Sequence, residues 1–275
     1  MEIAVCILTL NEENNISSCI KACKEEGFEE IHVIDSGSTD KTLELATKLG
    51  AQTYTFIQEN KYSAALQRNW TIENIVTKAN WLLFIDADEE PISGFKEELL
   101  KCLHSNIDAD VIMIPLLYNL HGKKIKSMGY PNWHDRVVKK NVRFSAAVGE
   151  YVNSKNRKKC KGAVLDHYFN SNGMKRFVEK QARYADFIGE VTAKFLDGEQ
   201  SEYFEKVGAM GKTKRIVAKL GLLRPFLRFI YLYVFRGGIL EGRAGFIVAC
   251  YMSIFEFLSA VATIEYERKK NNLKL

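Results

Sequence analysis

The sequence predicts an α/β protein, with a mostly parallel sheet flanked by helices and a helical C-terminal extension. Three observations carry this. Short apolar runs such as Ile3–Leu10 and Trp81–Ile85 read as strands buried on both faces. Helix-like segments alternate with them at the connection lengths of βαβ units. Beyond residue 200 the text becomes basic and apolar. This assigns residues 1–200 to the α/β domain and 201–275 to the extension.

The elements follow in order. After Ile3–Leu10, Asn14–Lys24 reads as a helix closed near Gly27. Ile31–Ile34 is a second strand, and the cluster Asp35-Ser36-Gly37-Ser38-Thr39-Asp40 can cap the helix Lys41–Leu49, which stops at Gly50. Thr53–Ile57 is the third strand. Ser63–Thr77 is a helix with Ala65, Ile72 and Val76 inward. The strand Trp81–Ile85 ends in Asp86-Ala87-Asp88-Glu89. Phe95–Leu103 is helical, and Val111–Pro115 is the fifth strand. From Tyr118 to Leu165 the alternation fails, predicting irregular strands and loops, before Met174–Leu196 returns to a helix.

With 47% hydrophobic residues, 27% charged and only 4 prolines, the chain is neither disordered nor collagen-like. The N-terminal run lacks a basic start and soon meets Glu12 and Glu13, so it does not read as a signal peptide. The cysteines Cys6, Cys19, Cys23, Cys102, Cys160 and Cys250 are scattered, and are expected to be free thiols in a cytosolic protein. Cys19 and Cys23 have no second pair or histidine nearby, so no zinc site is expected.

The formal charge of +5 is unevenly placed. Lys206 to Leu240 holds eight basic residues and no acid, so the rest of the chain carries 31 basic against 34 acidic residues, a net of −3. The basic residues are interleaved with Leu222, Leu223, Phe226, Leu227, Ile230 and Phe235, a composition suited to an anionic membrane surface. Nucleic acid is the competing partner for a basic patch, and is not expected, because apolar runs suit acyl chains better than phosphates. Ala244 to Ile264 is a second apolar stretch, interrupted by Glu256. A span needs about 20 apolar residues, and a charge near its middle costs about 3 kcal/mol. Three readings stay open for this stretch: an interfacial membrane helix, a buried helix or homo-oligomer contact, and a span.

Ligands of a parallel α/β sheet collect beyond the carboxyl ends of its strands. There the chain places Thr9, Asn11, Glu12 and Glu13, then Asp35, Ser36 and Asp40, then Asp86, Asp88 and Glu89. No Gly-x-Gly-x-x-Gly follows the first strand and no P-loop is present, which removes dinucleotide-binding and ATPase readings. Asp-x-Asp directly after a buried strand puts two carboxylates on one side of a turn. Mg²⁺ or Mn²⁺ prefers such oxygen ligands together with substrate phosphates, and would stabilise the charge of a departing diphosphate.

The strings Ile7-Leu8-Thr9-Leu10-Asn11-Glu12-Glu13, Asp35-Ser36-Gly37-Ser38-Thr39-Asp40, Gln67-Arg68-Asn69 and Ile85-Asp86-Ala87-Asp88-Glu89 resemble a family 2 glycosyltransferase with the GT-A fold. Arg136-Val137-Val138, Val148-Gly149-Glu150, His167, Lys180, Tyr184 and Phe-Arg-Gly-Gly-Ile-Leu-Glu-Gly-Arg-Ala-Gly from Phe235 extend the resemblance to lipopolysaccharide inner-core glucosyltransferases of the WaaE and LgtF type.

The resemblance implies roles. Thr9, Asn11, Glu12 and Ser36 would line the nucleoside pocket, with Asp35 accepting a hydrogen bond from uracil. Arg68 would lie near the diphosphate or hold the Asp-x-Asp loop. Asp86 would contact ribose or metal-bound water, Asp88 would bind the metal, and His167 would sit near metal or diphosphate. Lys180 joins the donor-binding set. An inverting transfer needs a carboxylate base, for which Glu150 and Asp135 are the candidates. Gly149 stands where the subgroup usually has a histidine, which puts an acceptor contact there in doubt.

Lys155 to Lys161 is a solvated loop or an attractor of anionic headgroups, and Tyr130, Trp133 and His134 are sugar-stacking or core aromatics. The implied activity is transfer of a hexose, glucose by analogy, from a UDP-sugar to a lipid-linked saccharide such as inner-core heptose. The implied place is cytoplasmic, peripheral or monotopic on the inner-membrane face. Two rivals are a polyprenyl-phosphate sugar transferase of the same fold and a non-catalytic nucleotide-sugar-binding membrane scaffold.

Overall fold

The computed structural model describes residues 2–58, 63–127, 129–145, 151–169, 171–199 and 216–275. The chain divides into two compact units, Met1–Asn119 with Tyr130–Ser171, and Leu120–Gly129 with Asn172–Leu275. The division after Ser171 groups the helix at 173–196 with the C-terminal residues, whereas a boundary at 200 groups it with the α/β domain.

In the first unit the chain runs β1 (Ile3–Thr9), α1 (Ile16–Glu25), β2 (Ile31–Asp35), α2 (Thr42–Lys48), β3 (Gln52–Thr55), α3 (Ala64–Asn74), β4 (Trp81–Asp86), β5 (Glu89–Pro91) and α4 (Phe95–Ser105). It continues through β6 (Val111–Leu120), β8 (Asn132–Lys139), β9 (Arg157–Lys159) and β10 (Leu165–Tyr168), with β7 (Lys123–Ile125) lying in the second unit. The sheet order is β3-β2-β1-β4-β8-β6-β10-β5.

The strands β3, β2, β1 and β4 are parallel, as the alternation predicts. The sheet as a whole is mixed. Strand β8 runs antiparallel to both β4 and β6 and separates them, so β6 keeps the direction of β4 without touching it along the ladder. The region expected to be irregular therefore supplies a central strand. Its residues Asp135 to Val138 are buried on both faces, as a position inside a covered sheet requires.

Alternate side chains build two cores. Val5, Ile7, Val33, Leu83 and Ile85 pack under α1, α2 and α4 through Ile20, Ala46 and Leu99. Ala4, Cys6, Leu82 and Phe84 pack under α3 through Ala65 and Ile72. Helix α3 ends at Asn74, and Val76, expected inward, is 82% exposed. The buried residue there is Ile75, because the chain leaves the helix with extended backbone one residue earlier.

The second unit holds α5 (Gly173–Leu196), α6 (Arg224–Ile230), a π-helical turn at Tyr231–Phe235, a 3-10 turn at Gly238–Glu241 and α7 (Gly242–Lys270). Helices α5 and α7 approach closely at Gly189. A Cβ there would meet the Ala262 Cβ at 2.6 Å and its carbonyl carbon at 2.7 Å. Glu241 closes the turn before α7: its carboxylate accepts hydrogen bonds from the Lys126 N–H at 2.6 Å and the Ser127 hydroxyl at 2.5 Å.

Candidate active site

Three loops leave the carboxyl ends of β1, β2 and β4 side by side, since Thr9 pairs with Asp35 and Leu8 with Asp86. The first two loops are stitched together. Asn11, held at φ 54°, accepts the Thr39 N–H at 2.7 Å, and its own N–H donates to the Ser38 hydroxyl at 2.7 Å. The Glu12 N–H donates to Thr42 Oγ1 at 2.8 Å, and Glu12 Oε2 accepts the Asn15 amide at 2.6 Å.

Asp35 is fully buried and folds its own loop. It accepts the Gly37 N–H at 2.8 Å, the Ser38 N–H at 2.7 Å and the Ser38 hydroxyl. An ionised carboxylate offers about four lone-pair positions, so one remains. Beside it, Thr9 Oγ1 and Ser36 Oγ are buried without a hydrogen-bond partner. Buried hydroxyls are normally satisfied, so two orphans at adjacent strand ends stand out.

The turn after β4 is organised by two buried guanidiniums. Arg68 and Arg136 are each 1% exposed. Arg68 Nη2 donates to Asp86 Oδ1 at 3.2 Å, and Arg136 Nη2 to Asp86 Oδ2 at 3.1 Å. Of the two places the sequence leaves open for Arg68, it occupies the one that holds the acidic loop. Arg136 Nη2 also donates to Glu89 Oε1 at 2.5 Å, while Glu89 Oε2 accepts the Asp86 N–H at 3.0 Å. Glu89 is wholly buried, and these two hydrogen bonds give each of its oxygens a partner, as a buried carboxylate requires.

Arg136 reaches both acids because β8 carries a bulge at that residue. Ile112 pairs with Val137 and Met113 with Asp135, so the register shifts across Arg136. A bulge re-aims a side chain and recurs beside active sites.

With Asp86 engaged by both guanidiniums, Asp88 is the carboxylate of the pair turned toward His167, whose Nδ1 lies 3.9 Å from Asp88 Oδ1 and 3.4 Å from Glu89 Oε1. The Tyr118 ring meets His167 edge-on at 5.1 Å. A cavity of about 180 Å³ opens beside Asp88, lined also by Asn15, Glu90 and Tyr168. Burial, together with the hydrogen bond to Glu90, raises the Tyr168 phenol to about 12.

A divalent cation fits this donor set. Oxygen of Asp88 and nitrogen of His167 lie together, and Glu89 Oε1 approaches the same Nδ1, so either ring nitrogen of His167 would have a carboxylate-rich surrounding from which to meet the ion. Among the described residues no group of three protein donors converges, so substrate phosphate oxygens would complete the shell.

The remaining predicted residues fall elsewhere. Asp135, expected as a possible base, is 1% exposed and braces the sheet: Oδ1 accepts from Arg157 at 2.7 Å and Oδ2 from the Val152 N–H at 2.7 Å. Both of its oxygens are thus engaged in the structure. Glu150 lies outside the described residues. Lys180 sits on α5, in the second unit. Sequence reasoning gave no role to Glu89 or Arg136. Glu89 stands among the strand-end carboxylates and Arg136 in the motif Arg136-Val137-Val138, but the bulge that aims Arg136 at Asp86 and Glu89 left no local signal.

The family model for glycosyl transferase family 2 matches residues 4–144, more than half of the chain. The chain belongs to this family. Its sheet with helices on both faces is the GT-A-like arrangement, and every loop of the candidate site up to Asn69, Asp88 and Arg136 lies inside the matched region.

Curated relatives match over shorter stretches. The glycosyltransferase AglJ of Haloferax volcanii is 38% identical over 87 residues, covering 31% of this chain and 27% of the relative. An uncharacterised glycosyltransferase of Rickettsia bellii is 30% identical over 103 residues, 36% of this chain and 31% of the relative. The matched stretches thus span roughly a third or less of the relatives' length. Among solved structures, glucosyl-3-phosphoglycerate synthase of Mycobacterium tuberculosis, crystallised with Mn²⁺, UDP-glucose and phosphoglyceric acid, is 25% identical over 43% of this chain and 44% of that one, with a TM-score of 0.36.

Proposed function

We propose that this family 2 glycosyltransferase is a metal-dependent inverting hexosyltransferase. Its donor is a UDP-sugar, with glucose the sugar the sequence resemblance favours. Its acceptor is a lipid-linked saccharide, such as heptose of the lipopolysaccharide inner core, met at the cytoplasmic face of the membrane. The observation that carries the reading is the pairing of Asp86 with Arg68 and Arg136, which leaves Asp88 facing His167; the orphan hydroxyls of Thr9 and Ser36 lie at the ends of the neighbouring strands β1 and β2.

In this reading Thr9 and Ser36 donate to the nucleoside, and the remaining lone pair of Asp35 takes the uracil N–H. Arg68 and Arg136 fix the acidic turn before substrate arrives, so no reorganisation is needed during reaction. Asp88 and His167 would hold Mg²⁺ or Mn²⁺, which supplies neutralisation of the diphosphate charge.

The base in this proposal is Glu150. Its carboxylate takes the proton of the acceptor hydroxyl as that oxygen bonds to the sugar C1 and the C1–O bond to the diphosphate breaks. Phe144, six residues before it in the chain, supports the choice. Phe144 exchanges two hydrogen bonds with the Asn69 amide, at 2.8 and 3.0 Å, and its ring lies 5.5 Å from the Arg68 guanidinium. Phe144 therefore packs against one of the two arginines that hold Asp86.

A screen of nucleotide sugars against lipid acceptors, read by mass spectrometry, tests the substrate. Asp88→Asn is expected to lower metal-dependent UDP release at least about a hundredfold; unchanged release would remove the metal role. Lys219, Arg228 and Arg236 beside exposed apolar residues favour one second reading, a polyprenyl-phosphate acceptor. Such an anionic nucleophile needs no base, so Glu150→Gln would then leave turnover near the parent value.

A further inference from the structure

We infer that the second unit is a monotopic anchor that seats residues 222–240 in the interface of an anionic lipid bilayer, without a membrane-spanning helix. This deepens the membrane part of the reading above and rests on it. The observations lie wholly within the second unit.

The first is an exposed apolar face. Leu223, which caps α6, and Phe226, Ile230 and Val234 along α6 and the π-helical turn follow one another at helical spacing, exposed by 60%, 69%, 45% and 55%. Phe235 and Leu240 extend the face at 77% and 87% exposure. A contiguous patch of this kind on a soluble surface marks an interaction site.

The charge around the patch selects its occupant. Between residues 216 and 243 the sequence holds Lys219, Arg224, Arg228, Arg236 and Arg243 against one acid, Glu241. Glu241 is held by Lys126 and Ser127, and Arg224 is held by Glu256 at 2.5 Å. Lys219, Arg228, Arg236 and Arg243 therefore flank an apolar face that carries no matching acid among the described residues 216–243. Apolar side chains with a cationic border suit acyl chains beneath anionic headgroups. A second copy placed face to face by two-fold symmetry would set these cations against each other.

The same unit argues against a span. Residues 238–270 form a helical stretch long and apolar enough to cross a membrane. Within its apolar part, residues 244–264, the one charge is Glu256, which Arg224 matches from a neighbouring element. However, α5 packs along α7 at Gly189 and exposes Glu179, Lys180, Arg183 and Asp186 on its outer side. A span by α7 would draw those charged groups into hydrocarbon, which insertion in the plane of the interface avoids.

Co-sedimentation of the full chain with vesicles tests the proposal. Binding is expected to vesicles containing phosphatidylglycerol and to be much weaker on phosphatidylcholine alone. The double variant Phe226→Ser/Phe235→Ser, changed at exposed positions, is expected to lose at least about tenfold in partitioning. Its thermal unfolding and its turnover on a soluble acceptor sugar should match the parent. Parent-like vesicle binding by this variant, or no binding by the parent chain, overturns the anchor. A lipid-free dimer that the variant converts to monomer assigns the face to a second copy and equally overturns it.

Cysteines at the two ends of α7, Arg243→Cys and Lys270→Cys, with Cys250→Ala, separate the modes of seating. Both should react with an impermeant thiol reagent outside sealed vesicles, and protection of one end overturns the in-plane arrangement. Loss of turnover with vesicle binding intact strikes the catalytic reading alone.

Discussion

Arg136 and Glu89 form a buried ion pair at 2.5 Å, with the arginine 1% and the glutamate 0% exposed, from positions 47 residues apart in the chain. The pair sits directly beneath the acidic turn, and Arg136 also bonds Asp86. Removing one partner of such a pair strands a buried charge, at a cost of about 3–5 kcal/mol, whereas replacing both by apolar groups is often neutral. Arg136→Met should therefore cost about 3–5 kcal/mol in denaturant unfolding. Arg136→Met/Glu89→Leu should recover most of that loss yet remain inactive, because Asp86 loses its anchor. A single variant as stable as the parent would show that the pair does not hold the turn.

The orphan hydroxyls allow stability and binding to be separated. Thr9 Oγ1 and Ser36 Oγ are unsatisfied in the protein as it stands. Thr9→Val and Ser36→Ala should leave unfolding unchanged or slightly raise stability, since each removes an unmatched polar group. Each should weaken UDP binding by about fivefold, the equivalent of one hydrogen bond of about 1 kcal/mol. Calorimetric titration with UDP reads this directly; unchanged affinity in both variants would move the nucleoside away from these strand ends.

Asp135 gives a pH signature. Burial raises its carboxyl above the ordinary value of 3.8, against the opposing pull of the Val152 N–H and Arg157. The folded state therefore holds this proton to higher pH than the unfolded state, and the contribution of the group to stability falls as pH rises. The window begins near 3.8 and extends upward. Asp135→Asn removes the titration. The stability of the parent relative to that variant is expected to decline across this range in urea unfolding, and a difference that rises with pH would contradict the burial argument.

Gly189 tests the α5–α7 contact. In an open helix, glycine to alanine gains about 1 kcal/mol. Here the added carbon would meet Ala262 at 2.6 Å, inside any ordinary contact. Gly189→Ala should instead lower the unfolding temperature, with a loss of about 1–3 kcal/mol from overpacking. A gain in stability would mean the helices are free to separate.

Much of the first unit was legible because its information is local. The run Trp81–Ile85 reads as a buried strand from its own composition, and Asp86 and Asp88 follow it at a strand end where such sheets bind ligands. Helix α3 was legible in place but not in extent: Val76 fits the apolar period, yet the helix stops at Asn74 and Ile75 is the residue that reaches the core. The mixed character of the sheet was not legible. The residues of β8 show no strand partner in their own text, and their insertion between β4 and β6 depends on pairing with both.

The sequence by itself determined the family, the order of the first four strands, the acidic turn and the basic, apolar character of the C-terminal residues. Each of these is written in short-range pattern or in contiguous motif. Only the tertiary structure decided that Arg68 and Arg136 converge on Asp86, that Glu89 lies buried between Arg136 and His167, and that Asp135 braces Arg157. These are contacts between residues 18 to 78 positions apart, created by one extra residue in a strand and by the crossing of loops, and no local periodicity encodes them.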